Sequence, residues 1–119
     1  MGVLALIAGI AALVALITVV VKLTLLAMSW ISNKVKEKLK NRNTQKVAVG
    51  DINKIIESCD NNIDLSELEK IADEGVTHIV ADVDYNGNVE SVEAFDVDKI
   101  EGRADELINR TGEGLVVIS

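Results

Sequence analysis

An almost unbroken apolar run opens the sequence and limits its possible folds more than any other feature. Among the nineteen residues 3–21, Thr18 is the only polar side chain. As an α-helix this run would measure about 28 Å, close to the hydrocarbon thickness of about 30 Å in a bilayer. The apolar pattern resumes after Lys22 and continues to Ile31. The sequence therefore predicts one N-terminal transmembrane helix over residues 1–32.

A basic segment, residues 33–46, follows directly and carries a net charge of +5. Basic residues beside a membrane span stay on the cytoplasmic side and attract anionic lipid. The sequence thus predicts a single-pass protein of the cell membrane with its C-terminal domain in the cytoplasm. The segment would be a juxtamembrane helix and linker. Its expected lipid-headgroup contacts are Lys34, Lys36, Lys38, Lys40 and Arg42.

Small and polar residues share one stripe when the apolar run is drawn as a helix. Small side chains let helices approach closely, and hydroxyl groups can hydrogen-bond between helices. The stripe predicts a face for homo-oligomeric association or for lining a pore, although alanine is also common in apolar helices that have no such face. Whether Lys22 would meet headgroups, a partner helix or water stays open. The stripe comprises Ala8, Ala11, Ala15, Thr18, Lys22 and Ser29.

Residues 47–119 form an acidic segment with a net charge of −13. Such a segment lacks the basic surface that binds phosphate, so we expect no nucleic-acid partner. Apolar spacing predicts helices over residues 51–59, 64–74 and 102–110, a strand hairpin over 76–97, and a last strand over 115–118. The predicted fold class is a membrane-anchored α+β protein. Its soluble part would be a small ααββαβ domain with a three-stranded sheet.

One motif has chemical content. Residues 82–93 resemble the calcium-binding loop of the EF-hand family over twelve positions, with Gly87 at the sharp turn. The resemblance implies calcium as a cofactor and oxygen ligands from five side chains. The alternative is a plain hairpin, because Asn86-Gly87 is a strong two-residue turn signal and the residues before it favour a strand. The implied ligands are Asp82, Asp84, Asn86, Glu90 and Glu93.

The sequence contains one thiol, Cys59, and one imidazole, His78. The sequence therefore predicts neither a zinc cluster nor a Cys–His nucleophile pair. We expect neither a catalytic residue nor an obligatory cofactor. The leading prediction is a non-enzymatic membrane protein that self-associates through its N-terminal helix. It would present the acidic domain to a protein partner, or gate an oligomeric assembly. A membrane-tethered calcium-binding protein and a pilin-like filament subunit are the alternatives.

Overall fold

The structure, a computed structural model, describes residues 3–59 and 63–119. Five helices and five strands follow one another along these residues. In chain order they are α1 (Val3–Val14), β1 (Val20–Leu26), α2 (Met28–Leu39), β2 (Thr44–Asp51), α3 (Ile52–Ser58), α4 (Ser66–Asp73), β3 (His78–Asp84), β4 (Val89–Ile100), α5 (Gly102–Ile108) and β5 (Leu115–Ile118).

The predicted transmembrane helix over residues 1–32 is wrong. The described part of this segment, residues 3–32, forms α1, β1 and the start of α2. Both α1 and α2 have twelve residues, and no helix in the described ranges is long and apolar enough to cross a bilayer. The expected single-pass protein of the cell membrane with a cytoplasmic domain is corrected by the same finding.

The apolar run divides where its side chains change type. Alanine, leucine and other helix formers dominate up to Leu16, and the helix ends at Val14 with turn hydrogen bonds from Leu16 and Ile17. Residues 17–21 are then Ile, Thr, Val, Val and Val, all branched at Cβ. Such side chains lose rotamer freedom in a helix and pack well on a sheet. The second half of the run therefore becomes strand β1.

The strands form one five-stranded mixed sheet in the order β1-β4-β3-β2-β5. Strand β1 runs parallel to β4, with Val20 opposite Ala94 and Leu26 opposite Ile100. The other neighbouring strands are antiparallel. The predicted three-stranded sheet is therefore wrong, because β1 and β2 lie in segments that the sequence assigned to an anchor and to a linker. The helices and strands predicted after residue 50 are present as α3, α4, β3, β4, α5 and β5.

Helices cover both faces of the sheet, so the central strand β3 is buried on both sides. Its Ile79 and Ala81 point into a first core under α1, α3 and α4, while Val80 points into a second core under α2 and α5. A strand covered on both faces has a continuous apolar sequence rather than an alternating one. In the first core α1 contributes Leu6, Ile7, Ile10, Ala11 and Val14.

Helix α2 contains much of the basic segment that was predicted as a juxtamembrane linker. Its Ile31 and Val35 are buried in the second core, one turn apart. Helical spacing of three to four residues places Lys34 and Lys38 beside them, and both lysines are half-buried. The basic segment is therefore an amphipathic helix that packs on the sheet and continues, after a short turn, into β2.

Candidate functional site

The predicted association stripe is divided among several elements. Ala8 and Ala11 lie on α1, Ala15 and Thr18 lie in the connection after it, Lys22 lies on β1, and Ser29 lies on α2. Ala11 is buried in the first core, and the other five are exposed. The structure does not bring them together on one helix face.

The same N-terminal region instead presents an open sheet edge. Strand β1 is the first in the strand order, so only one of its two sides is paired, with β4. Val20, Val21 and Leu25 on this strand are 41%, 43% and 47% exposed, and Leu16 and Val19 just before it are 73% and 68% exposed. Lys22 is the only charged residue of β1, and its Nζ lies 3.2 Å from Asp96 Oδ2 on β4. We call residues 16–25 the apolar edge.

A groove continues from the apolar edge toward the start of β4. Pairing with β1 begins at Ala94, so the outer side of residues 89–93 has no strand beside it in the described structure. The end of α1 and the connection to β1 form the opposite wall of a cavity of about 370 Å³. Apolar side chains line one side, and Glu90 and Glu93 lie on the other. No pattern in the sequence predicts this groove, because it depends on where β1 begins to pair.

An ionic cluster lies between α2 and the sheet. Lys34 Nζ is 3.1 Å from Glu93 Oε2, and Lys38 Nζ also contacts Glu93. Lys38 Nζ lies 3.7 Å from Asp82 Oδ1, a buried atom that accepts no hydrogen bond from the described residues. We call Lys34, Lys38, Asp82 and Glu93 the ionic cluster. Since these two lysines point at carboxylates of their own chain, the basic residues of this segment that face solvent are Lys36, Lys40, Arg42 and Lys46.

Aromatic side chains hold Lys34 in place within the ionic cluster. The rings of Trp30 and Phe95 meet edge to face, with centroids 5.0 Å apart and planes at 83°. Lys34 Nζ lies 5.9 Å from the Trp30 centroid and 5.8 Å from the Phe95 centroid. A cation within about 6 Å of an aromatic face is attracted by the electron density of the ring. This contact and Glu93 together fix the position of the ammonium group.

Charges inside the ionic cluster stabilise one another. Burial lowers the pKa of Lys38, but the hydrogen bond with Glu93 and the charge of Asp82 outweigh it, so the pKa is raised. Burial likewise raises the pKa of Glu93, but hydrogen bonds from Lys38 and Lys34 outweigh it, so the pKa is lowered. Both shifts favour the charged forms. The ionic cluster is therefore an ion-pair network that fixes α2 on the sheet.

The predicted calcium loop is a hairpin in the structure, joining β3 to β4. Asp84 Oδ1 accepts hydrogen bonds from the backbone N–H groups of Asn86 (2.9 Å) and Asn88 (2.8 Å), and Gly87 has a φ of +83° that suits glycine. Asp82 and Glu93, the first and last implied ligands, instead contact Lys38. Calcium binding stays a prediction, but these contacts occupy two of its five side chains.

The described residues do not gather metal ligands elsewhere. In residues 3–59 and 63–119, no group of three or more His, Cys, Asp or Glu side chains could hold a metal ion. Near the hairpin, the Asn88 backbone N–H and Glu90 lower the pKa of Asp84, while the hydrogen bond with Asp84 raises the pKa of Glu90. The proximity of these two carboxyl groups therefore moves their pKa values in opposite directions.

His78 is a buried residue of β3 on the side of the second core. Its Nδ1 lies 2.8 Å from Thr77 Oγ1, and its buried Nε2 has no hydrogen-bond partner among the described residues. Burial lowers the pKa of His78, and the nearby charges of Asp51 and Asp105 only partly oppose this effect. The fold therefore favours the neutral form of the imidazole.

Lowering the pH is expected to destabilise the fold through His78. The unfolded chain takes up a proton near the ordinary pKa of 6.5, whereas the folded chain takes it up only at lower pH because its pKa is lowered. The contribution of His78 to the free energy of unfolding is thus full above about pH 6.5. It falls as the pH drops, by at most about 1.4 kcal/mol per pH unit. Urea unfolding at pH 5 to 8 would measure this slope. His78→Phe should flatten it, and an unchanged slope in that variant would contradict the assignment.

The thiol of Cys59 and the imidazole of His78 do not form a nucleophile–base pair, since they belong to opposite cores. The apolar edge and its groove offer accessible apolar surface. Comparisons of the chain with protein-family models, with curated proteins and with solved structures gave no match.

Proposed function

We propose that this chain is a non-enzymatic protein-association domain whose copies bind one another through the apolar edge. The observation that carries the proposal is the unpaired seven-residue strand β1 with exposed Val20, Val21 and Leu25. An open strand offers unpaired backbone N–H and C=O groups to another strand. Proteins usually protect such an edge with charges, proline or a bulge. In β1 the only charge is Lys22, which pairs with Asp96 of its own chain.

The rest of the surface favours association that is confined to this edge. The full chain has a net charge of −7, and residues 47–119 carry the acidic excess. Like-charged surfaces repel one another and keep proteins apart except where apolar contact outweighs the repulsion. The apolar edge has no acidic residue, so two copies can meet there without opposing carboxylates.

The test compares two leucines of matched exposure. Leu25 on β1 is 47% exposed and Leu4 on α1 is 48% exposed. Leu25→Lys should weaken association at least tenfold, about 1.4 kcal/mol, because a lysine would be opposed to apolar side chains of the second copy. Leu4→Lys should leave association unchanged. Sedimentation equilibrium of the full chain and both variants would measure the dissociation constants.

Two results would overturn the proposal. One is a wild-type chain that stays monomeric at about 1 mM, where even a free energy of association of about −4 kcal/mol is detected. The other is loss of association in Leu4→Lys but not in Leu25→Lys, which would place the contact on the exposed face of α1. Circular dichroism of each variant would establish that it is folded.

A further inference from the structure

The backbone of β1 determines which residues face the open edge. The Leu26 carbonyl accepts a hydrogen bond of 3.0 Å from the Glu101 N–H, so the polar groups of Leu26 point toward β4. Backbone groups of successive strand residues point to opposite sides of the strand. The register between β1 and β4 keeps one offset along its length. The N–H and C=O groups of Val21, Leu23 and Leu25 therefore point outward, away from β4.

The sequence of β1 is self-complementary in the antiparallel direction. Its residues are Val-Val-Lys-Leu-Thr-Leu-Leu, with Leu23 at the centre. When a second copy is aligned antiparallel about Leu23, Val21 lies opposite Leu25 of the second copy, and the two Leu23 residues lie opposite each other. On the other face Lys22 lies opposite Thr24, so the two lysines do not oppose each other. An in-register parallel alignment would instead place lysine beside lysine, which is unfavourable.

The second sheet edge fits β1 less well. Strand β5 has four residues, so it could pair with little more than half of β1. A β1-to-β5 contact would leave β5 free on one copy and β1 free on the other, so the same contact could repeat and extend an open filament. Pairing of β1 with β1 uses the same patch on both copies and closes after two, which is the usual arrangement of homodimers.

We infer that two copies associate by antiparallel pairing of their β1 strands about a two-fold axis at Leu23, joining their sheets into one. This inference rests on the proposed function. The three facing pairs exchange about six backbone hydrogen bonds. The exposed side chains of Val21 and Leu25 pack against each other between the copies. Of the three facing pairs, only the pair of two Leu23 residues lies on the two-fold axis.

Salt dependence follows from the charge of the dimer. Each copy brings a net charge of −7, and β1 contributes one lysine that is already paired. Repulsion between the copies is screened over about 10 Å at 0.1 M salt and over about 3 Å at 1 M. The dissociation constant should therefore fall as salt rises from 0.05 to 0.5 M, opposite to an interface held by ion pairs.

Disulfide trapping tests the register. In a Cys59→Ser background, Leu23→Cys should give a covalent dimer under mild oxidation. Facing residues of a hydrogen-bonded antiparallel pair have Cα atoms about 5.5 Å apart, within the range that a disulfide spans. Leu25→Cys is the control, because two copies of residue 25 would lie about 13 Å apart along the strands, too far for a disulfide. Mixing Val21→Cys with Leu25→Cys should trap a heterodimer.

The outcomes separate the inference from the proposed function. Association without trapping at Leu23, and without the mixed Val21–Leu25 disulfide, would overturn the two-fold pairing while the proposed function stands. A strictly monomeric chain would overturn both. Trapping of Leu25→Cys but not of Leu23→Cys would indicate a shifted register and also overturn the inference. If Leu23→Cys does not fold, the mixed pair decides, because its two positions are partly exposed and do not include Leu23.

Discussion

Replacing Ile10 with alanine is expected to lower the free energy of unfolding by about 3–4 kcal/mol. Ile10 lies in the middle of α1, is fully buried, and packs in the first core with residues of β3 and α4. Truncation removes buried methyl and methylene groups and leaves a cavity that the surrounding sheet cannot fill completely. Urea unfolding followed by circular dichroism would measure the change.

Leu4→Ala is the control for Ile10→Ala, because Leu4 lies on the same helix but is 48% exposed. Leu4→Ala should lower the free energy of unfolding by less than about 1 kcal/mol, since a substitution at the surface leaves no cavity. If both variants were as stable as wild type, α1 would not be part of the core. The pair of measurements thus tests the step by which the structure corrects the sequence prediction, namely that the apolar run packs on the sheet.

Replacing Lys38 with methionine is expected to lower the free energy of unfolding by about 3 kcal/mol. Methionine keeps much of the side-chain volume but leaves Asp82, which is 7% exposed, without the cation beside it. Removing one partner of a buried ion pair is costly because the remaining charge stays in a poorly solvated place. Lys34 still pairs with Glu93, so the loss centres on Asp82. The same unfolding measurement applies.

Two further variants make the Lys38 experiment specific. Lys36→Met changes an exposed lysine two residues away on α2. Its free energy of unfolding should lie within about 0.5 kcal/mol of the wild-type value. Adding Asp82→Asn to Lys38→Met should recover part of the loss, because the unpaired charge is removed. A coupling energy of about 1–3 kcal/mol between positions 38 and 82 is expected for neighbours of this kind. Additive effects would contradict a direct interaction.

The sequence predicted the C-terminal elements and misjudged the N-terminal ones. Helical spacing in α4 and α5 and the turn signal at Asn86-Gly87 are local, so they could be recognised without knowledge of the fold. The apolar run is ambiguous, because burial between two layers and burial in a membrane select the same side chains. Its discriminating signal was the β-branched series at residues 17–21, which favours a strand. Hydrophobicity alone does not distinguish burial inside a folded domain from burial in a membrane.

The functional surfaces depend on pairing that sequence spacing does not encode. Lys34 and Lys38 belong to a basic segment of the kind that binds lipid headgroups. Only the position of Glu93 on β4 shows that their charges are neutralised within the chain. The apolar edge likewise exists because β1 is the first strand of the sheet, a position fixed by the long-range contact with β4. Such contacts between distant segments are determined by the whole chain.

The parallel pairing of β1 with β4 also sets an order of events during synthesis. The apolar run leaves the ribosome before its partner residues 94–100, which follow about 70 residues later and, at about 5–20 residues per second, about 4–15 s later. During that interval β1 has no strand to pair with. The apolar side chains of β1 therefore stay unpaired for seconds in each round of translation. Pausing ribosomes before residue 94 should increase the capture of the chain by chaperones that bind apolar segments.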